Sequence, residues 1–315
     1  MEKRVIIFGG TGFLGISLAH YLKEFGYTPV LVARNIPDKD QGFEIVRWDA
    51  REVGEWKILL NRASAIVNLA GKSVNCIKTP DNCDAILRSR LESTMAIGKA
   101  LEQIAFLPKV WVQMSTAHIY GDPAEQICTE NSSLGYGLAP FVGKEWENTF
   151  LKVKPKEMRE VRLRTSFVIG KEGGALVDLK RIAKLGMGGK TGSGQQGMSW
   201  IHQADFNAIV KRAIEKTDIS GVYIVSAPQP VSNTEFMRKL RTRLKIPIGL
   251  PTPTWLAHFG AKYIFKTDPE LALYGRYVSP KRLIKEGFTF KFDTIDQALQ
   301  NVLAKNDVEK QKTYH

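Results

Sequence analysis

The chain has 315 residues, 43% of them hydrophobic, so it can bury a sizeable core as one large domain or two coupled ones. Lys and Arg number 45 against 32 Asp and Glu, and the net charge of +13 suits anionic ligands such as nucleotides. The basic residues form no run of five, and their densest cluster, at 238–245, has helical spacing. That spacing favours a solvated helix face over a nucleic-acid site.

The cysteines and the apolar runs exclude several other classes of protein. Three cysteines without a CxxC pair indicate neither a disulfide framework nor a zinc site, and Cys76 and Cys83 are expected to be plain thiols. No other metal-ligand spacing occurs. The opening MEKRVIIFGGTG has too short an apolar run for a signal peptide or a membrane span, and no later run is longer. We therefore expect a cytoplasmic protein with no membrane partner.

Short apolar strands alternate with amphipathic helices in the first half of the chain. This alternation predicts an α/β fold with a doubly wound parallel sheet that is covered on both faces. The predicted strands are Val5–Phe8, Pro29–Val32, Glu44–Trp48, Ala65–Leu69, Val110–Met114 and one that begins at Val161–Arg164, and the predicted helices are 13–25, 84–105 and 138–152.

The pattern changes after Gly170. Residues 186–197 contain six glycines and are predicted to be a loop, and from Pro228 the chain is helical with proline punctuation. We predict a cofactor-binding domain over 1–228, in which 170–204 contribute a loop or lid, and a small, mainly helical domain over 229–315.

A glycine turn is the strongest signal in the sequence. Gly9, Gly12 and Gly15 have the spacing GxxGxxG between the first strand and the first helix. The first glycine permits a tight turn, the second lets the backbone approach a pyrophosphate, and the third lets the helix pack on the strand. The helix N-terminus then presents free N–H groups to phosphates, which predicts a dinucleotide site.

The residues at the end of the second strand indicate which of the two dinucleotides, NAD or NADP(H), is bound. An NAD site usually has Asp or Glu at this place to bind the ribose 2′-hydroxyl, but this chain has Ala33 and Arg34. An arginine can pair with a 2′-phosphate instead, so NADP(H) is favoured over NAD; a surface arginine is the alternative.

Three motifs together, GGTGFLG, VNLAGKSV and STAHIYG, make the chain resemble an extended short-chain dehydrogenase/reductase. More narrowly, it resembles NAD-dependent epimerase/dehydratase-like proteins that carry a C-terminal domain of unknown function. The segments WDA (48–50), SRLEST (89–94), SWIH (199–202) and YVSPKRLIKEGFTFKF (277–292) belong to the same resemblance.

The resemblance implies a Rossmann-like domain that binds NADP(H), with a smaller domain over a substrate cleft. It places Asp49 beside the adenine, Arg90 near the phosphates or ribose, and Val168 at the nicotinamide end. Alternatives are that Asp49 caps a turn, that Leu69 and Ala70 are core residues, and that Arg90 is a solvated helix residue. The implied cofactor-binding residues are Gly9, Gly12, Phe13, Leu14, Gly15, Ala33, Arg34, Asp49, Leu69, Ala70, Gly71, Arg90 and Val168.

The usual catalytic pair of this class is missing. Active members carry Tyr and Lys four residues apart on one helix face, and the lysine helps a tyrosine with a pKa of about 10 to ionise. Aligned on Glu147, the lysine position is Gly143 and the tyrosine position is Ala139. Thr116 matches the hydroxyl that binds the substrate oxygen.

Several candidates remain for the missing function. Tyr136 and Lys144 are eight residues apart, and His118 and His202 are further possible proton donors. Asp205 is expected to cap a helix over 206–216. The sequence thus predicts an NADP(H)-binding oxidoreductase or epimerase-like protein that acts on a small molecule. A non-catalytic NADP(H) sensor or scaffold and a nucleotide-sugar epimerase are the alternatives, and a homodimer is expected by analogy alone.

Overall fold

The computed structural model describes residues 3–123, 126–171 and 173–304. Its strands are β1 (Arg4–Phe8), β2 (Thr28–Ala33), β3 (Glu44–Arg47), β4 (Ala65–Asn68), β5 (Val110–Thr116), β6 (Ile127–Cys128), β7 (Arg159–Thr165), β8 (Phe167–Ile169), β9 (Gly197–Met198), β10 (Trp200–His202), β11 (Gly221–Val225), β12 (Val231–Ser232) and β13 (Tyr277–Val278).

The helices are numbered in the same way. They are α1 (Phe13–Glu24), α2 (Pro80–Leu101), α3 (Leu138–Val153), α4 (Leu176–Lys184), α5 (Gln203–Glu215), α6 (Asn233–Leu244), α7 (Thr254–Gly260), α8 (Glu270–Leu273), α9 (Lys281–Lys285) and α10 (Ile295–Leu303), with 3-10 turns at Glu55–Leu60 and Ala117–Tyr120 and a π turn at Ala261–Phe265.

Seven strands form one parallel sheet in the order β3-β2-β1-β4-β5-β7-β11. The chain first adds strands on one side of β1 and then returns to add β4 on the other side. The predicted doubly wound, Rossmann-like fold is confirmed. The direction of winding reverses between β1 and β4, and in open α/β sheets ligands bind outside the carboxyl ends of the strands at such a point.

Strand β1 shows why this sheet is covered on both faces. Val5 and Ile7 pack into one core cluster with residues of α1 and α5, while Ile6 and Phe8 pack into a second cluster with residues of α2 and α3. Successive strand side chains point to opposite faces, so a strand that is apolar throughout needs helices on both sides.

A third core cluster connects the C-terminal helices with the segment after β7. It contains Leu176 of α4, Trp200 of β10, Phe236 of α6 and Leu299 of α10. Residues on both sides of position 228 therefore share one core, and the domain boundary at 228 stays a prediction.

Helix α3 agrees with its prediction, whereas α2 begins and ends four residues earlier than predicted. Helix α3 spans 138–153, close to the predicted 138–152. Helix α2 was predicted over 84–105 but spans 80–101, because the Thr79 side chain accepts a hydrogen bond from the Asn82 amide and Pro80 occupies the first helical position. Beyond the helix, the Phe106 amide donates to Asn61 Oδ1, which turns the chain back. Among the described residues, no helix is both long enough and apolar enough to span a membrane.

Candidate cofactor site

The glycine turn brings β1 and β4 into close contact. Gly9 has φ +72°, and a Cβ atom there would lie 2.9 Å from the carbonyl carbon of Leu69. A Cβ atom at Gly15 would collide with Gly10, so α1 begins directly against the turn. Gly12 caps α1 without a side-chain hydrogen bond, and the first turn carries no acidic residue. The amide groups of that turn are therefore available to an anion.

A cavity of about 590 Å³ opens beside this turn, at the carboxyl ends of β1 to β4. Its walls are formed by residues that directly follow these strands. Eight of the predicted cofactor-binding residues line it: Gly9, Gly12, Ala33, Arg34, Asp49, Leu69, Ala70 and Gly71. The cavity is also lined by residues that the sequence did not predict: Thr11, Asn35, Trp48, Ala50, Arg51, Lys72, Asp84, Ala85, Arg88, Ser89 and Glu92. Ser89 and Glu92 belong to the SRLEST motif, and this motif is the sequence signal that points to them.

Arg34 differs from the other arginines of this cavity. Arg51 donates to Glu92 at 2.9 Å, and Arg88 donates to the same carboxylate at 2.7 Å. Arg34 is exposed, and its guanidinium has no hydrogen bond or ion pair among the described residues. Glu92 is thus shared by Arg51 and Arg88, and among the described residues Arg34 is the cavity arginine without such a carboxylate partner.

Asp49 shapes the rim of the cavity. Its Oδ1 accepts hydrogen bonds from the amides of Arg51 and Glu52, both at 2.9 Å. These hydrogen bonds, that of Glu52 first, hold the pKa of Asp49 below its ordinary value. The carboxylate therefore caps a turn and also lines the cavity, and its predicted place beside the adenine stays a prediction.

Arg90 lies behind the cavity wall. Its Nη1 donates to the carbonyl oxygens of Lys72 at 3.1 Å and Ile86 at 2.9 Å, and its guanidinium lies 5.1 Å from the centre of the Trp146 ring. A Cβ atom at Gly71 would be 3.2 Å from Arg90 Cζ. Burial lowers the pKa of Arg90 to about 10, so it stays charged at neutral pH. No carboxylate pairs with it in the part of the chain that the structure describes.

The remaining predicted cofactor residues lie outside the cavity lining. Leu14 packs against the core cluster of α1 and α5, and Gly15 and Val168 are buried. The Phe13 ring packs against Gly173 so closely that a Cβ atom there would lie 2.5 Å from Cδ2. The segment after β8 therefore crosses the start of α1.

Of the predicted catalytic residues, Thr116 lies at the carboxyl end of β5, whereas Lys144 lies on α3 and Tyr136 just before that helix. Thr116 Oγ1 accepts a hydrogen bond from the His118 amide at 3.1 Å and caps the turn Ala117–Tyr120. A Cβ atom at Gly143 would lie 3.0 Å from Ile119 Cγ1 and 3.3 Å from Thr116 Cγ2, so the position that resemblance assigns to lysine packs against Ile119 and Thr116. Lys144 instead donates to the Gly135 carbonyl at 2.8 Å and lies over the ring of Tyr136, which is 93% exposed.

A buried ion pair lies under the same end of the sheet. Glu147 accepts hydrogen bonds from Arg164 Nε at 2.8 Å and Nη2 at 2.9 Å, and from Ser115 Oγ at 2.6 Å. Arg164 Nη1 also donates to Tyr120 Oη at 3.0 Å, and burial raises the pKa of that tyrosine to about 12. The network ties β5, α3, β7 and the turn together and holds the Thr116 backbone in place.

His202 and Asp205 bind parts of the chain itself. His202 Nδ1 accepts from the Ala204 amide at 3.0 Å, and its Nε2 pairs with Asn301 Oδ1 at 3.2 Å; burial lowers its pKa to about 4. The expectation that Asp205 caps the following helix is wrong, because α5 begins at Gln203 and His202 caps it. Asp205 accepts instead from the amides of Lys291 and Phe292.

A doubly wound parallel sheet with a glycine turn beside its switch point is a Rossmann-like fold, the class of fold in which dinucleotides bind at that place. The chain belongs to the NAD dependent epimerase/dehydratase family, whose sequence profile matches residues 5–226. A second profile, for a domain of unknown function (DUF1731), matches residues 252–302. The family resemblance noted from the sequence is confirmed.

Relatives match over nearly the whole chain. The Arabidopsis thaliana protein named epimerase family protein SDR39U1 homolog, chloroplastic, is 30% identical over 307 residues, which are 96% of this chain and 87% of that protein. Epimerase family protein YfhF of Bacillus subtilis is 30% identical over 94% of this chain and 96% of its own length. The crystal structure of human epimerase family protein SDR39U1 with NADPH has a TM-score of 0.84 at 27% identity, covering 95% of this chain and 99% of that one.

Proposed function

We propose that this protein binds NADPH in the cavity at the switch point and uses it as an oxidoreductase on a small molecule. The observation that carries the cofactor assignment is Arg34, which has no partner among the described residues and lies at the rim of the cavity beside the glycine turn. The NADPH in the crystal structure of the human relative supports this proposal.

The residues of the cavity fit the cofactor. The uncapped amides of α1 after Gly12 suit the pyrophosphate, and Arg34 suits the 2′-phosphate that distinguishes NADPH from NADH. The buried charge of Arg90 adds positive potential behind Gly71. When bound, NADPH would supply a hydride for the reduction of a substrate.

Thr116 is the side chain best suited to hold a substrate oxygen. Its oxygen already accepts the His118 amide, so its own proton is free to donate to the substrate. No tyrosine–lysine pair accompanies it, since the two positions are Ala139 and Gly143. The reaction we propose therefore depends on positioning and hydrogen bonding at Thr116 rather than on tyrosinate. The alternatives, a non-catalytic NADP(H) sensor or scaffold and a nucleotide-sugar epimerase, and the expected homodimer stay predictions.

Calorimetric titration with NADPH and NADH tests the cofactor assignment. Wild-type protein should bind NADPH more tightly than NADH. Arg34→Ala should weaken NADPH binding about tenfold to a hundredfold and leave NADH binding unchanged, because only NADPH carries the charged phosphate that Arg34 binds. Arg238→Ala, which removes an exposed arginine on α6, is the control and should bind both as wild type does. Equal losses for both nucleotides in Arg34→Ala would contradict the assignment. Oxidation of bound NADPH in a screen of carbonyl compounds would then separate an oxidoreductase from a sensor.

A further inference from the structure

A second polar site lies at the carboxyl end of β5, where the C-terminal region crosses the turn Ala117–Tyr120. Two backbone amides hold this crossing in place. The Gly275 amide donates to the Asp122 side chain at Oδ1 (3.0 Å), and the Arg276 amide donates to the Gly197 carbonyl (2.9 Å). Ser199 Oγ donates to the Arg276 carbonyl at 2.8 Å. The backbone of Arg276 is therefore fixed beside this turn.

The Arg276 side chain is buried and unpaired. It is 9% exposed, and its Nε has no hydrogen-bond partner among the described residues. Its guanidinium forms no hydrogen bond or ion pair with any residue in the described ranges, although the Asp122 carboxylate is near enough to influence it. Burial lowers the pKa of Arg276 to about 10, which leaves it charged at neutral pH. A buried charge without a counter-ion is costly, so the site is suited to an anion from outside the chain.

His118 and Lys78 share this site. The His118 ring, half-buried, has no hydrogen bond within the described part of the chain. Burial, and then the positive charges of Arg276 and Lys78, hold the pKa of His118 well below its ordinary value, so the ring is neutral. Lys78 donates to the Val74 carbonyl and lies 3.7 Å from Asp268. Lys78 therefore has an acidic partner, while Arg276 has none within ion-pair distance.

We propose that Arg276 binds a carboxylate or phosphate group of the small-molecule substrate, and that the His118 ring offers a hydrogen bond to the same molecule. This inference rests on the proposed function, because the substrate in question is that of the NADPH-dependent reaction. His118 follows Thr116 by two residues, so the anion site and the proposed substrate-oxygen site belong to one turn. An anchored anion would fix the orientation of a small substrate beside Thr116. The substrate class is thus a small carboxylated or phosphorylated carbonyl compound.

The test is a calorimetric titration of the protein, saturated with NADP⁺, with inorganic phosphate and with acetate. Saturation removes the glycine turn and Arg34 as competing anion sites. Wild-type protein should bind at least one probe with millimolar affinity, and the preferred probe distinguishes phosphate from carboxylate. Arg276→Gln should weaken that binding about tenfold or more, because a charge-assisted hydrogen bond is lost. Arg276→Lys should retain part of it, and Arg238→Gln should bind as wild type does.

Two outcomes would overturn the proposal. One is a wild-type protein that binds neither probe; the other is Arg276→Gln with unchanged affinity for the preferred probe. NADPH titration of the same variants keeps the proposed function separate, since Arg276→Gln should bind NADPH normally. If wild-type protein fails to bind NADPH, the proposed function fails, and the phosphate and acetate titrations of the cofactor-free variants still decide whether Arg276 is an anion site. Where Arg276→Gln does not fold, the loss of affinity in Arg276→Lys takes its place.

Discussion

Glu147→Gln should destabilise the protein because it removes the carboxylate that pairs with Arg164 and, at 3.5 Å, with Arg162. Glu147 and Arg164 are 5% and 6% exposed and are joined by two hydrogen bonds of 2.8 and 2.9 Å. Gln removes the negative charge and leaves the Arg164 cation buried. Removal of one partner of a buried pair costs about 3–5 kcal/mol. We expect about 3 kcal/mol, at the lower end, because Gln keeps one acceptor oxygen and Tyr120 still accepts from Arg164 Nη1.

Urea unfolding followed by circular dichroism at neutral pH measures this loss. Glu145→Gln is the matched control, since it removes the same charge from the same helix, where Glu145 Oε1 accepts only a 3.4 Å hydrogen bond from Asn148. The control should change the free energy of unfolding by less than about 0.5 kcal/mol. Equal effects of the two substitutions would refute the argument that burial of the pair sets the magnitude.

The pH dependence of this stability loss tests whether the negative charge of Glu147 is its cause. Burial alone would raise the pKa of Glu147, but Arg164 and Ser115 hold it below the ordinary 4.5. The folded carboxyl therefore ionises at lower pH than the unfolded one. Its contribution is complete above the unfolded pKa and is lost as pH falls through the folded pKa. The difference between wild type and Glu147→Gln should stay constant from pH 8 to 6 and shrink below about pH 4.5. A difference that persists undiminished in acid would show that shape rather than charge is responsible.

Two further predictions concern the cavity and the C-terminal region. Gly9→Val should weaken NADPH binding by about tenfold or more in a fluorescence titration, because φ is +72° and a Cβ atom would lie 2.9 Å from Leu69; unchanged affinity would argue against this turn as the phosphate site. His202 has a folded pKa of about 4 against an ordinary 6.5, so the unfolded chain takes up its proton first and stability falls as pH drops from 7 to 5. We expect a loss of about 2 kcal/mol from His202, with His118 adding in the same direction, and His202→Asn should reduce that loss in urea unfolding at the two pH values. If the free energy of unfolding had the same pH dependence in wild type and His202→Asn, the assignment of this loss to His202 would be wrong.

The local part of the candidate cofactor site could be predicted from the sequence because the residues that form it are neighbours in the chain. Gly9, Gly12 and Gly15 are separated by fixed steps between a strand and a helix, and those steps alone require a tight turn that opens a helix N-terminus. Arg34 follows the next strand, and parallel strands bring their carboxyl ends to one edge. The sheet itself follows from apolar strands that alternate with amphipathic helices.

The sequence by itself therefore determined the sheet, the glycine turn and the place of Arg34. Only the tertiary structure decided which charges have partners. Arg51 and Arg34 look alike in the sequence, but a carboxylate from α2 reaches one and not the other. The unpaired state of Arg276 depends on how the C-terminal region crosses the turn after β5. Periodicity and spacing predict the local structure of one segment. Ion pairs between side chains depend instead on distances of a few ångströms between segments that are far apart in the chain. Those distances are set only when the whole core packs.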